Sequence, residues 1–199
     1  MKYVTTKAIL LNYHDYGESN RLFTFFTRDF GKVTLDAKGA RKSKKRHFTT
    51  IDLLSYMTVT FSMIERNDIQ TLYGIDMIDP FCELRNELTA LSAALYLAEL
   101  VSEFYKDLEK DEEMFDELLS YLKRFNRGAQ KQSDIIIFQL KVLEKGGLIP
   151  NLISCIRCDK PFASMKNDGF YLDSEVTTCL RLATDPRARL VARPSSTCN

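Results

Sequence analysis

At Pro80 the hydrophobic repeat of this chain changes from two residues to roughly 3.6, and no single element type serves both sides of that change. Upstream, Tyr3 to His14 is rich in β-branched and aromatic residues and reads as a strand, Asp15 to Asn20 supplies a Gly-containing turn, and the apolar run Leu22 to Thr27 follows. A turn around Gly31 leads into Val33 to Ala37. Thr50 to Ile64 alternates through Leu54, Tyr56, Thr58 and Thr60, and Ile69 to Ile78 carries Leu72, Tyr73, Ile75 and Met77 before Asp79 and Pro80 break the pattern. Five short strands in residues 1–80 predict a small barrel, for which the partly open five-stranded OB-fold is the candidate.

Downstream, Leu84, Leu88, Leu91, Leu95, Ala98, Val101 and Tyr105 recur three or four residues apart and predict a long amphipathic helix with those residues on its buried face. A second helix is expected from about Glu112 to Phe125, with Met114, Phe115, Leu118, Leu119 and Leu122 inward and Gly128 past its end. A third starts at an N-cap on Ser133 and stops at Gly146 and Gly147, with Pro150 beyond. Its Ile135 to Phe138 stretch is apolar on every side, which predicts the central, most buried helix. The fold class is therefore α+β: an N-terminal five-stranded OB-fold barrel (1–80), an α-helical domain (81–150) and a cysteine-bearing segment.

No window of about 18 uncharged apolar residues occurs, and charge runs through any would-be N-terminal signal core, so a cytoplasmic protein without a membrane partner is expected. The total charge of +1 conceals a polarised chain. Residues 1–80 hold 12 basic and 9 acidic residues, 81–150 hold 9 and 13, and 151–199 hold 7 and 5, giving +3, −4 and +2. Between Glu99 and Glu117 nine acids meet only Lys106 and Lys110, which reads as a solvated face that repels DNA, with a Mg²⁺ site as the alternative. Cys82, Cys155, Cys158, Cys179 and Cys198 make an odd set with one C-x-x-C, which points to metal before redox chemistry and not to a disulfide framework.

The stretch KGARKSKKRH, Lys38 to His47, places six cations in ten residues with no acid, between two predicted strands. Cations there would neutralise phosphates and release condensed counterions, the main source of sequence-independent affinity for nucleic acid. A solvated basic loop is the bland alternative. Phe23, Phe25, Phe48 and Tyr56 are the nearby aromatics available for base stacking, although alternate aromatics in strands commonly form core. No Gly-rich phosphate loop, G-x-S-x-G or histidine with a local catalytic signature occurs, so an enzyme is not expected.

The order DYGESNRLFTFFTRDFGK (Asp15 to Lys32), AKGARKSKKR (Ala37 to Arg46), ALYLAELV (Ala94 to Val101) and a late C-x-x-C resembles the RecO family of bacterial recombination mediators over residues 1 to about 182. The resemblance implies an OB-fold, a helical domain and a zinc-ribbon-like segment (151–182), acting in double-strand break and gap repair on the nucleoid. It implies binding of single- and double-stranded DNA, annealing of complementary strands, contact with the C-terminal tail of single-strand-binding protein, and work with RecR that leads indirectly to RecA loading. The DNA role falls on Lys38, Arg41, Lys42, Lys44, Lys45 and Arg46, with Arg21 an addition, and Lys123, Arg124 and Arg127 are cations for the acidic tail.

The cysteines depart from a complete ribbon. Cys155, Cys158 and Cys179 follow a C-x2-C-x20-C course, but Leu182 stands where the fourth ligand belongs, so three thiolates leave a Zn²⁺ position open to water or to a remote ligand such as Cys198. A metal-free degenerate ribbon and a redox C-x-x-C are the alternatives. The rival from another class is a zinc-dependent adaptor or metalloenzyme using that open three-cysteine site; a third is a damaged family member that folds without functioning. Residues 183–199 have neither helical period nor apolar face and are expected to be a disordered, truncated or foreign tail.

Overall fold

The computed structural model describes residues 2–40, 51–64, 67–148, 154–155, 161, 170–172 and 177–179. Strand β1 (Lys2–Tyr16) is long enough to serve two partners: it pairs antiparallel with β4 (Tyr56–Met63) through Lys2 to Ile9 and with β2 (Asn20–Thr27) through Ala8 to Tyr16. A register shift between Leu10 and Asn12 bends it from one partner to the other, as bulges do. With β3 (Gly31–Ala37) and β5 (Ile69–Asp79) the strands form a closed sheet in the order β1-β2-β3-β5-β4, antiparallel except where β3 meets β5 through Thr34 to Asp36.

Ala8, Leu10, Phe23, Phe25, Val33, Leu35, Met57, Val59, Phe61 and Leu72 fill its interior. In β4 the interior face is therefore Met57, Val59 and Phe61, opposite in phase to the Tyr56, Thr58 and Thr60 alternation. Tyr56 is buried too, but outside the sheet, under the helices.

Asp79 and Pro80 end the sheet. Asp79 Oδ1 accepts from Phe81 N at 2.9 Å, and Arg85 donates to the carbonyls of Pro80, Phe81 and Leu53 at 2.5, 2.8 and 2.8 Å, which pins the transition. A 3-10 turn (Glu83–Asn86) precedes α1 (Leu88–Phe104), so the expected long helix is broken at Glu87, whose carboxylate caps α1 by accepting from Thr89 N and Ala90 N. These bonds hold the Glu87 carboxyl below its usual range, the one from Ala90 most of all.

The buried face of α1 is Ala90, Ala93, Ala94, Leu97, Ala98 and Val101, whereas Leu88 and Leu95 are exposed. Alanines win that face because small side chains let the helix axis approach the sheet and α2 closely. Helix α2 (Glu112–Asn126) buries the five residues expected of it, together with Tyr121 and Phe125, behind an N-cap on Asp111 that accepts from Met114 N at 2.9 Å.

Helix α3 (Gln132–Lys145) overturns two expectations. Ser133 lies inside it; Asp134 does the capping, accepting from Lys131 N at 2.8 Å while pairing with Arg124 at 2.7 Å. It is also not the central helix: Phe138 and Val142 are buried, but Ile136, Ile137 and Leu140 are 56, 43 and 42 % exposed, because only one stripe faces α1 and α2.

One core runs from sheet to helices: Phe26 lies 5.4 Å from Tyr105 and 5.9 Å from Phe115, and Tyr56 lies 6.5 Å from Phe115. The chain divides into compact units 1–142 and 143–199. In the second unit, β6 (Phe170–Leu172) pairs antiparallel with β7 (Thr177–Cys179), and Ser154 forms an antiparallel bridge with Pro161 around the C-x-x-C.

Candidate nucleic-acid interface

The cation-rich loop leaves the sheet at the end of β3. Residues 37–40 make a turn in which Ala40 N donates to Ala37 O at 3.2 Å, and Gly39 N donates to the Asn20 side-chain oxygen at 3.1 Å. Asn20 begins β2, and Arg21 is the register partner of Ala37, so the loop root and Arg21 share one end of the sheet. Lys38 is exposed there; Arg41, Lys42, Lys44, Lys45 and Arg46 lie outside the described residues, as does Phe48.

Arg21 is engaged within the fold. Its Nε donates to Asp15 Oδ1 at 2.8 Å, its guanidinium stacks 4.6 Å from the Tyr13 ring centre, and its side chain is 14 % exposed. An ion pair of this kind contributes only about 0.2–1 kcal/mol, and the stack on Tyr13 adds a second tie between β2 and β1. Phe23, Phe25 and Tyr56, the other aromatics named for stacking, are core residues. The exposed aromatics beside the loop root are instead Tyr13 and Tyr16, which the period-2 pattern does not distinguish because β1 here runs on past its pairing with β4 as an edge strand.

The acidic region has a second role besides charge. Arg28 pairs with Glu112 at 3.0 Å and Asp116 at 2.9 Å; its hydrogen bonds hold the Asp116 carboxyl below the usual range. Lys32 Nζ donates to Ser102 O at 2.7 Å and lies 3.5 Å from Asp107, while Leu108 N donates to Lys32 O at 2.8 Å. Three of the cluster's acids thus dock helices on the sheet. Among the described residues no group of three or more His, Cys, Asp or Glu side chains is placed to hold a metal, at this cluster or elsewhere.

Of the cations named for an acidic tail, Arg124 is paired with Asp134 and stacks 4.5 Å from Tyr121, Lys123 lies 5.7 Å from the Tyr56 ring centre, and Arg127 is exposed. Cys155 is buried, Cys179 ends β7, and Cys158 and Leu182 lie outside the described residues, as does the 183–199 tail. No described helix is long and apolar enough to cross a membrane.

Sheet and helices together define an α+β protein with an exposed lysine at the root of a basic run, and comparison with known proteins gives its family. Residues 1–81 match the family model described as Recombination protein O N terminal, and residues 85–192 match Recombination protein O C terminal. The chain is 37 % identical over 152 residues to the DNA repair protein RecO of Myxococcus xanthus, covering 76 % of this chain and 62 % of that protein. It is 30 % identical over 183 residues to the DNA repair protein RecO of Syntrophus aciditrophicus, covering 92 % and 71 %. With that of Halalkalibacterium halodurans it shares 31 % identity over 168 residues, 82 % and 65 %. The chain belongs to the RecO family. It spans 62 % of the Myxococcus relative's length and 63 % of that of an Anaeromyxobacter relative.

Proposed function

We propose that this chain is a non-enzymatic DNA-binding mediator of recombinational repair, built on an OB-fold, that anneals complementary single strands and assists RecA loading together with RecR. The strand order with its closing β1–β4 ladder supports the OB-fold reading. The observation that carries the function is that Lys38, the first of six cations in the Lys38 to Arg46 sequence, stands exposed beside a turn tied to Asn20 at one end of the sheet. Held against two strands, these cations would screen both sets of phosphates and let base pairing proceed.

The test is annealing and binding of labelled oligonucleotides at several salt concentrations, with the parent beside a variant carrying Arg41→Ala, Lys42→Ala, Lys44→Ala and Lys45→Ala. The variant's salt slope should fall by about 0.7 for each single-strand phosphate that these side chains no longer neutralise. An unchanged slope removes the loop from the site.

For the acidic tail of single-strand-binding protein, the exposed Ile136, Ile137 and Leu140 of α3 supply an apolar surface and Arg127 an exposed cation. For zinc, Ser154 bridges Pro161 on either side of the C-x-x-C in sequence, and Cys179 ends the β6–β7 pairing, which supports a ribbon-like reading for Cys155, Cys158 and Cys179. The set remains one ligand short of a closed site. Bound zinc without DNA affinity would favour an adaptor or metalloenzyme.

A further inference from the structure

Beyond Leu11, β1 has only β2 beside it among the described strands. Its pairing with β4 stops at Ile9, its pairing with β2 continues to Tyr16, and residues 12–18 are all exposed. Here β1 is the edge of the sheet, since the facing β2 residues Arg21 to Thr24 pair on their other side with β3, and the two faces of this edge differ. One face continues the interior: Tyr13 lies 6.1 Å from the buried Phe23 and under Arg21, which Asp15 holds. That stack and ion pair tie β1 to β2 at this edge.

The opposite face carries His14 and Tyr16. Tyr16, the tyrosine of the D-Y-G-E motif, is 61 % exposed, and its side chain has no hydrogen bond or ring contact among the described residues. Nothing in the described fold uses it. Side chains two positions apart on a strand stand about 6.8 Å apart. That is twice the roughly 3.4 Å stacking repeat of bases, so a flat ring fits between these two.

We propose that His14 and Tyr16 clasp one unpaired base of single-stranded DNA, a reading that rests on the DNA-binding function above. The ligand follows from the neighbourhood. Tyr16 pairs in register with Asn20, and Asn20 bonds the Gly39 amide beside the exposed Lys38. A strand whose phosphate meets Lys38 would have its bases beside this end of β1. Duplex DNA has no free base face to offer, so the clasp discriminates single strands from duplexes, which Lys38 alone cannot.

The experiment uses the full chain with His14→Ala, Tyr16→Ala and Tyr16→Phe, binding labelled single strands and duplexes over a salt series, with 2-aminopurine in the single strand as a stacking reporter. Tyr16→Ala should weaken single-strand binding by about 5- to 150-fold, the effect of losing a stacked base, while its salt slope and its duplex affinity stay at parental values. His14→Ala should weaken single-strand binding in the same sense, and Tyr16→Phe should retain binding and 2-aminopurine quenching. If the parent binds but Tyr16→Ala binds single strands equally well, or loses duplex affinity in proportion, the clasp is refuted and the DNA reading stands. If the parent binds no DNA at low salt, the DNA reading itself falls and the clasp with it.

Discussion

Replacing Gly31 with alanine tests how the helices are held on the sheet. Gly31 has a φ of +67°, and a Cβ built on it would lie 2.0 Å from the Glu109 carbonyl oxygen and 2.4 Å from its carbon. Carbon and oxygen approach no closer than about 3.3 Å even in favourable C–H···O contacts, so the 106–110 segment must withdraw by more than about 1 Å. Withdrawal breaks the Leu108 N to Lys32 O bond and strains the Lys32 Nζ to Ser102 O bond. Two hydrogen bonds contribute about 0.5–1.5 kcal/mol each, and a left-handed alanine costs about 1–2 kcal/mol, for a total of roughly 2–5 kcal/mol.

Gly17 is the internal control. Its φ is +61°, but nothing lies within 4 Å of its would-be Cβ, so Gly17→Ala bears the backbone cost alone. Urea unfolding of the parent and both variants measures the difference. Gly31→Ala should have a midpoint well below that of Gly17→Ala. Equal destabilisation by the two substitutions would show that the close approach of Gly31 to Glu109 holds nothing in place.

Phe115→Ala removes the ring that joins Phe26 and Tyr56 to the helices, and should cost about 3–5 kcal/mol in urea unfolding; a loss under about 1 kcal/mol would contradict a shared core. Asp116 has a lowered carboxyl pKa in the folded state, so the stability of its pair with Arg28 is present above the ordinary carboxylate range, about pH 4, and is lost as pH falls through the lowered value. The midpoint gap between parent and Arg28→Ala should therefore close on acidification; a gap that persists at low pH would mean that the pairing is not ionic. Native mass spectrometry should find one zinc per chain, absent from Cys155→Ser; a metal-free parent would leave the ribbon degenerate.

Strand positions, the Gly and Asp-Pro breaks and the buried stripe of α2 are legible in the sequence, because a repeat and its interruptions are local properties of the chain, whereas the inward face of β4, Met57, Val59 and Phe61, is not. The leucine stripe of α1 misleads, since hydrophobicity ranks Leu88 and Leu95 above alanines that geometry prefers at a close helix–sheet contact. Ile135 to Phe138 misleads likewise: an apolar circumference shows what a helix can bury, not how many neighbours surround it.

The site divides in the same way. The charge of the Lys38 to Arg46 loop and its place after β3 follow from the sequence alone, since six cations without an acid cannot form core. That Arg21 is held by Asp15 and Tyr13, that Arg28 and Lys32 turn acids into docking contacts, and that Tyr16 stands exposed at the sheet edge depend on the residues that folding brings opposite each of them. Asp116 lies 88 residues from Arg28 and Ser102 lies 70 from Lys32. Such pairings are set by the closure of the sheet and the packing of helices on it, for which no local repeat carries a record.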